Sequence, residues 1–238
     1  MSDHIGIRFK LGEAFPADDS LARWMTITAM ALNDLLYVNR LLIPRLQEEV
    51  ESADYENIYL ARLAGAHLFE IAVFLDHAHR RLSAIREFID GLDRNAKAAY
   101  EKIRAVGPKG SGDFAKHLAD ARGQVFHYSE LIPQAEDREE LKAAMAEHAE
   151  SMGEIRDEGA PITGFRARFA DDIAAELTFG DRPLDELDYV TQVSEHIAAF
   201  LKFAFAAIAH YVQRLPREAW EYIDPDTPPD SHGGLRFA

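Results

Sequence analysis

The chain has no cysteine among its 238 residues. Disulfides, thiolate metal ligands and cysteine nucleophiles are therefore excluded, and any chemistry must use oxygen or nitrogen groups. Positive charge is also scarce: 26 Lys and Arg stand against 41 Asp and Glu, a formal net charge of −15. A broad phosphate-binding face needs clustered cations, so an extended nucleic-acid groove is excluded, DNA is not an expected partner, and at most a local cationic pocket remains. No run reaches the roughly 18 apolar residues that span a bilayer. The opening stretch "MSDHIGIRFKLGEAFP" also lacks the apolar core of a signal peptide. The expectation is a cytoplasmic protein with no membrane partner. A Gly-x-Ser-x-Gly elbow is missing, which removes the usual serine-hydrolase signature. "VGPKGSGD" lacks Walker spacing and follows no strand, so it reads as a loop.

What is present is helical periodicity. After caps at Asp19 and Ser20, the residues Leu21, Met25, Thr28, Leu32, Leu35 and Leu42 recur at steps of three, four or seven. Pro44 should kink or break that helix, because proline lacks the amide hydrogen of the ladder. A second helix is expected from about 54 to 89, with Leu60, Leu63, His67, Ile71, Phe74, Ala78, Leu82, Ile85 and Ile89 as its stripe. A shorter one follows over 94–105, and another starts near Asp113 and closes at Pro133. The acidic segment 136–159 reads as a surface helix. In 160–181, Phe165, Ala167 and Phe169 alternate with Arg166 and Arg168 as in a strand, but the segment as a whole is read as helix. The last long helix spans about 184–215, with Val190, Val193, Ile197, Phe200, Ala204, Ile208 and Tyr211 inward. It contains the most apolar stretch, "AAFLKFAFAAIAHY", which keeps helical periodicity around Lys202 and reads as core. No internal repeat and no convincing strand set appear. The fold expected is an all-α antiparallel bundle of long amphipathic helices: an N-terminal extension over 1–18, one domain over 19–215, and a Pro-, Gly- and Asp-rich tail over 216–238 expected to be disordered.

Helical bundles often carry metals on facing carboxylates and histidines. His67 with Glu70, and Asp76 with His79, share the required spacing of three, but the order is reversed from Glu-x-x-His and the second pair leaves the stripe. The bland alternative is a core-edge histidine bonded to a neighbour, with Asp76, His77 and His79 solvated.

The stretch "ARGQVFHY", residues 121–128, holds a second candidate. At about 100° per residue, Phe114, Leu118, Ala121, Val125 and Tyr128 share one arc, Arg122 falls roughly 80° from Phe114, and His127 falls roughly 220° from it. The arginine flanks the core and the histidine faces away. Phe126, near 120° on the same wheel, adds an aromatic to the outward side, a pattern that suits an interface.

Arg122 and His127 resemble the Arg-x4-6-His motif of the HEPN superfamily (higher eukaryotes and prokaryotes nucleotide-binding domains), and "VFHY" is similar to the Phe-His-Tyr ending of several bacterial members. The position after the arginine, often Asn in active members, is Gly123. The resemblance covers about residues 20–130. It implies a helical bundle that is usually a homodimer in which two motif helices meet, and often a metal-independent endoribonuclease of toxin or defence type, paired with an antitoxin or neighbouring protein. Arg122 and His127 are then the catalytic pair acting on RNA, with no cofactor and no metal, and His67, Glu70 and Tyr128 are candidate supporting residues. The alternatives are a catalytically inert helical interaction module and, third, a metal-binding bundle built on His67 and Glu70.

Overall fold

The computed structural model describes residues 6–9, 11–46, 54–126, 155–157, 165–167 and 186–223. They form an all-α fold with two short strand pairs. The order is β1 (Gly6–Phe9), α1 (Leu11–Ala14), α2 (Ser20–Leu46), α3 (Asp54–Arg81), α4 (Ser83–Asp90), α5 (Arg94–Arg104), α6 (Asp113–Phe126), β2 (Ile155–Asp157), β3 (Phe165–Ala167), α7 (Glu186–Arg214), a 3-10 turn (Arg217–Ala219) and β4 (Trp220–Ile223).

Apolar periodicity decides the packing. On α2, Met25, Thr28, Leu32, Leu35 and Leu42 are all buried, and on α7 so are Val190, Val193, Ile197, Phe200, Ala204 and Tyr211. α3 is the central helix, packed against α2, α5, α6 and α7. Alanines at 61, 64, 66 and 72 of α3 are fully buried and allow close approach on several sides. Gly65 is the extreme case: a Cβ there would stand 2.0 Å from the Tyr189 hydroxyl of α7. Among the described residues α7 is the one helix long and apolar enough to cross a membrane by length and composition. In this fold, Phe200, Phe203, Ala204 and Ala207 of that helix are fully buried in the core.

Helix starts follow local chemistry. The Asp19 carboxylate accepts from the amides of Leu21 (2.7 Å) and Ala22 (3.1 Å), and Asp93 does the same for Asn95 and Ala96 at the start of α5.

Several expectations are corrected. The helix expected over 54–89 is broken at Leu82, whose backbone is extended (φ −115°, ψ 111°). The carbonyls freed there find a donor: the Arg86 guanidinium bonds the carbonyls of His79 (2.8 Å) and Arg80 (3.2 Å). α2 continues through Pro44 to Leu46, so the proline does not break the helix at its own position. Of the helix expected over 136–159, Ile155–Asp157 form instead the strand β2, which pairs antiparallel with β3, Ile155 opposite Ala167 and Asp157 opposite Phe165; the rest of that stretch lies outside the described residues. The Phe165-Arg166-Ala167 alternation is therefore a strand, not helix, while the remainder of 160–181 lies outside the described residues. The first part of the supposed disordered tail is ordered: Trp220–Ile223 pairs with Gly6–Phe9 of the N-terminal extension. Phe9, Phe15 and Tyr211 then form a ring chain at 5.3 and 5.0 Å, and the Tyr211 hydroxyl donates to the Ala14 carbonyl at 2.7 Å.

Candidate functional site

α6 delivers Arg122. Its inward stripe, Phe114, Leu118 and Ala121, is buried, with α6 packed on α3 and the Phe114 ring against Tyr189 and His196 of α7, and this rotation leaves Arg122 on the flank, half-buried. The arginine Nε donates to Glu70 Oε1 of α3 in a very short ion pair. The structure thus joins two sequence candidates that lie on different helices. His67 is half-buried, three residues before Glu70 on α3. His127 and Tyr128 lie outside the described residues.

Glu70 also borders a groove between α2 and α3 of about 340 Å³, lined by Ser20, Arg23, Trp24 and Ile27 from α2 and by Val73, Phe74, His77 and Ala78 from α3. Its walls are mostly apolar: Trp24 and Phe74 stack at 6.3 Å, and Trp24 lies edge-on to Phe88 at 5.9 Å. Arg23, Glu70 and His77 are the charged or titratable side chains in it. The Arg23 guanidinium donates to the Ala17 carbonyl at 2.7 Å.

Asp76 and His79 are not simply solvated. Asp76 is buried and bridges Arg80 (2.6 Å) and Arg104 (3.2 Å), and Arg104 in turn holds Glu101 at 2.9 Å. Beside them the Tyr100 hydroxyl lies 3.3 Å from His79 Nδ1 and 3.3 Å from the Leu75 carbonyl, with Arg104 over the Tyr100 ring. Burial lowers the His79 pKa, assisted by the Arg104 charge, and burial raises that of Tyr100. This network ties α3 to α5. Sequence reasoning missed it because the partners come from different helices and no spacing rule connects Asp76 to Arg104.

Among the described residues no three Asp, Glu or His side chains converge as metal ligands. Glu70 is also committed to Arg122, so the metal reading through His67 and Glu70 gains nothing from the geometry. The chain matches no family model, no curated protein and no solved structure.

Proposed function

We propose that the protein is a HEPN-like helical endoribonuclease that needs no metal, with Arg122 and His127 as its reacting pair. The observation that carries this reading is the placement of Arg122: off the core, about a third exposed, with its guanidinium held by Glu70. A planar cation fixed through Nε suits phosphate recognition, because less side-chain freedom is lost on binding. In the reaction, His127 takes the proton of a ribose 2′-hydroxyl, the 2′-oxygen attacks phosphorus, and the 5′-oxygen leaves with a proton from a general acid. Arg122 offsets charge on the five-coordinate phosphorus. One helix sets the two side chains about 140° apart, so a second copy would have to complete the site.

The test is incubation of RNA with the full chain in chelator. Cleavage is expected, reduced on the order of 100-fold or more in His127→Ala and in Arg122→Ala. Absence of cleavage, or equal cleavage by His127→Ala, overturns the reading. It would leave the inert interaction module, which the exposed apolar residues Ile27, Met30, Tyr37 and Leu41 of α2 favour.

A further inference from the structure

The outward side of α2 carries a second pattern besides the one that faces the core. Arg23, Ile27, Met30, Asp34, Tyr37 and Leu41 follow at alternating steps of four and three, and all six are exposed. That 3.5-residue period is the signature of a coiled-coil seam, a stripe that a straight helix presents to another helix. Met30 is 61% and Tyr37 66% exposed, large apolar side chains left on one outward face. The helix is 27 residues long, about 40 Å at 1.5 Å per residue, so the seam extends over a large part of one face of the domain.

We propose that this seam binds a second copy of the chain, α2 running antiparallel to α2 about a two-fold axis near Thr28 and Ala29. Charge selects both the occupant and the register. In antiparallel seams the two alternating positions face each other, which permits registers one half-heptad apart. A register centred between Met30 and Asp34 sets Asp34 against Met30 of the other copy and Arg23 against its Leu41, burying both charges beside apolar groups at a cost. Shifted to the proposed centre, Ile27 meets Met30 of the other copy, and Arg23 meets Asp34 of the other copy, twice by symmetry. The seam's one base and one acid are then paired, Ile27 meets Met30 of the other copy, and Tyr37 lies over its Ser20 at the groove.

Shape agrees with charge. Besides the buried Trp24, the α2 side of the groove between α2 and α3 is lined by Ser20, Arg23 and Ile27. In the proposed register these residues stand opposite Tyr37, Asp34 and Met30 of the second copy. The protruding half of one α2 thus lies over the grooved half of the other, and the reverse holds at the symmetric site. Glu70 borders the same groove and holds Arg122, so the second copy docks beside the Arg122 pair. The inference does not depend on RNA cleavage and is read out by mass alone.

The experiment is sedimentation equilibrium of the full chain and two charge variants, with circular dichroism to verify that each remains folded. The wild type is expected to be a dimer. Arg23→Glu puts Glu opposite Asp34 twice, and Asp34→Arg puts two arginines together twice, so each alone is expected to be mainly monomeric. Asp34 makes no hydrogen bond or ion pair among the described residues, so its variant serves if loss of the Arg23 bond to Ala17 disturbs the fold. Mixed in equal amounts, the two variants have opposite charges at both sites and are expected to form a heterodimer approaching wild-type affinity. A monomeric wild type at about 100 µM, where contacts of even modest affinity are populated, overturns the proposal. So does a dimer that survives both single changes, or a mixture that stays monomeric.

Discussion

Two of the arginine–carboxylate pairs that connect α3 to its neighbours differ in exposure. Arg104 and Asp76 keep 17% and 12% of their side-chain surface, whereas Arg122 and Glu70 keep 35% and 45%. Asp76 is also shared by Arg80, and Arg104 by Glu101, so the α3–α5 pair belongs to a network. A pair shielded from water cannot lose one member without stranding the other, whereas an exposed pair is screened and contributes little to stability. The same chemical contact therefore fastens helices at one place and presents a cation at another. Substitution, acid and ionic strength can each break or sharpen this contrast.

The largest effect is expected at the shielded pair. Asp76→Ala leaves Arg104 without its buried partner and should destabilise the fold by about 3 kcal/mol; urea unfolding followed by circular dichroism measures it. A loss no greater than that of Glu70→Ala would erase the contrast.

Acidification should come next. Burial holds the pKa of His79 below its ordinary 6.5, with Arg104 adding to the effect, and burial does the same for His196. Both groups bind a proton less readily folded than unfolded, so their contribution is complete above about pH 6.5 and is lost as pH falls from there toward the lowered values. The melting temperature should drop between pH 7.5 and 5.5, and the drop should shrink when both are replaced by Gln. An equally steep profile in that double variant would assign the acid sensitivity elsewhere.

Glu70→Gln should have the smallest effect on stability, under about 1 kcal/mol, because the pair is exposed. Its consequence for activity is the sharper readout. If Glu70 positions the guanidinium, chelator-resistant RNA cleavage should fall while the melting temperature scarcely moves. A rise in cleavage would mean that the carboxylate masks Arg122 instead.

The core was legible because burial obeys period. The stripe of α7 and that of α6 from Phe114 to Ala121 follow from apolar spacing alone, and the flank position of Arg122 followed from the same wheel. Breaks and polar contacts were not legible. Leu82 is an ordinary helix former with no proline or glycine beside it, and what sustains the break is Arg86 reaching back to the α3 carbonyls. Asp76 looked like a surface acid because its partner Arg104 lies on another helix, and the nearness of Glu70 to Arg122 likewise depends on how α3 packs on α6. The seam on α2 was present in the sequence throughout. It was eclipsed by the stronger inward stripe on the same helix, and only exposure separates the two.

The pairing of β1 with β4 also bears on how the protein is made. Gly6–Phe9 are translated roughly 200 residues before their strand partner Trp220–Ile223, and the cost of closing that loop grows only with the logarithm of its length. Helices α2 to α6 can pack during synthesis while the N-terminal strand keeps an open edge, the kind of edge that pairs with other chains. The strand pair can form only once Trp220–Ile223 have been made. A nascent chain stalled before residue 220 would present that unpaired edge throughout the pause.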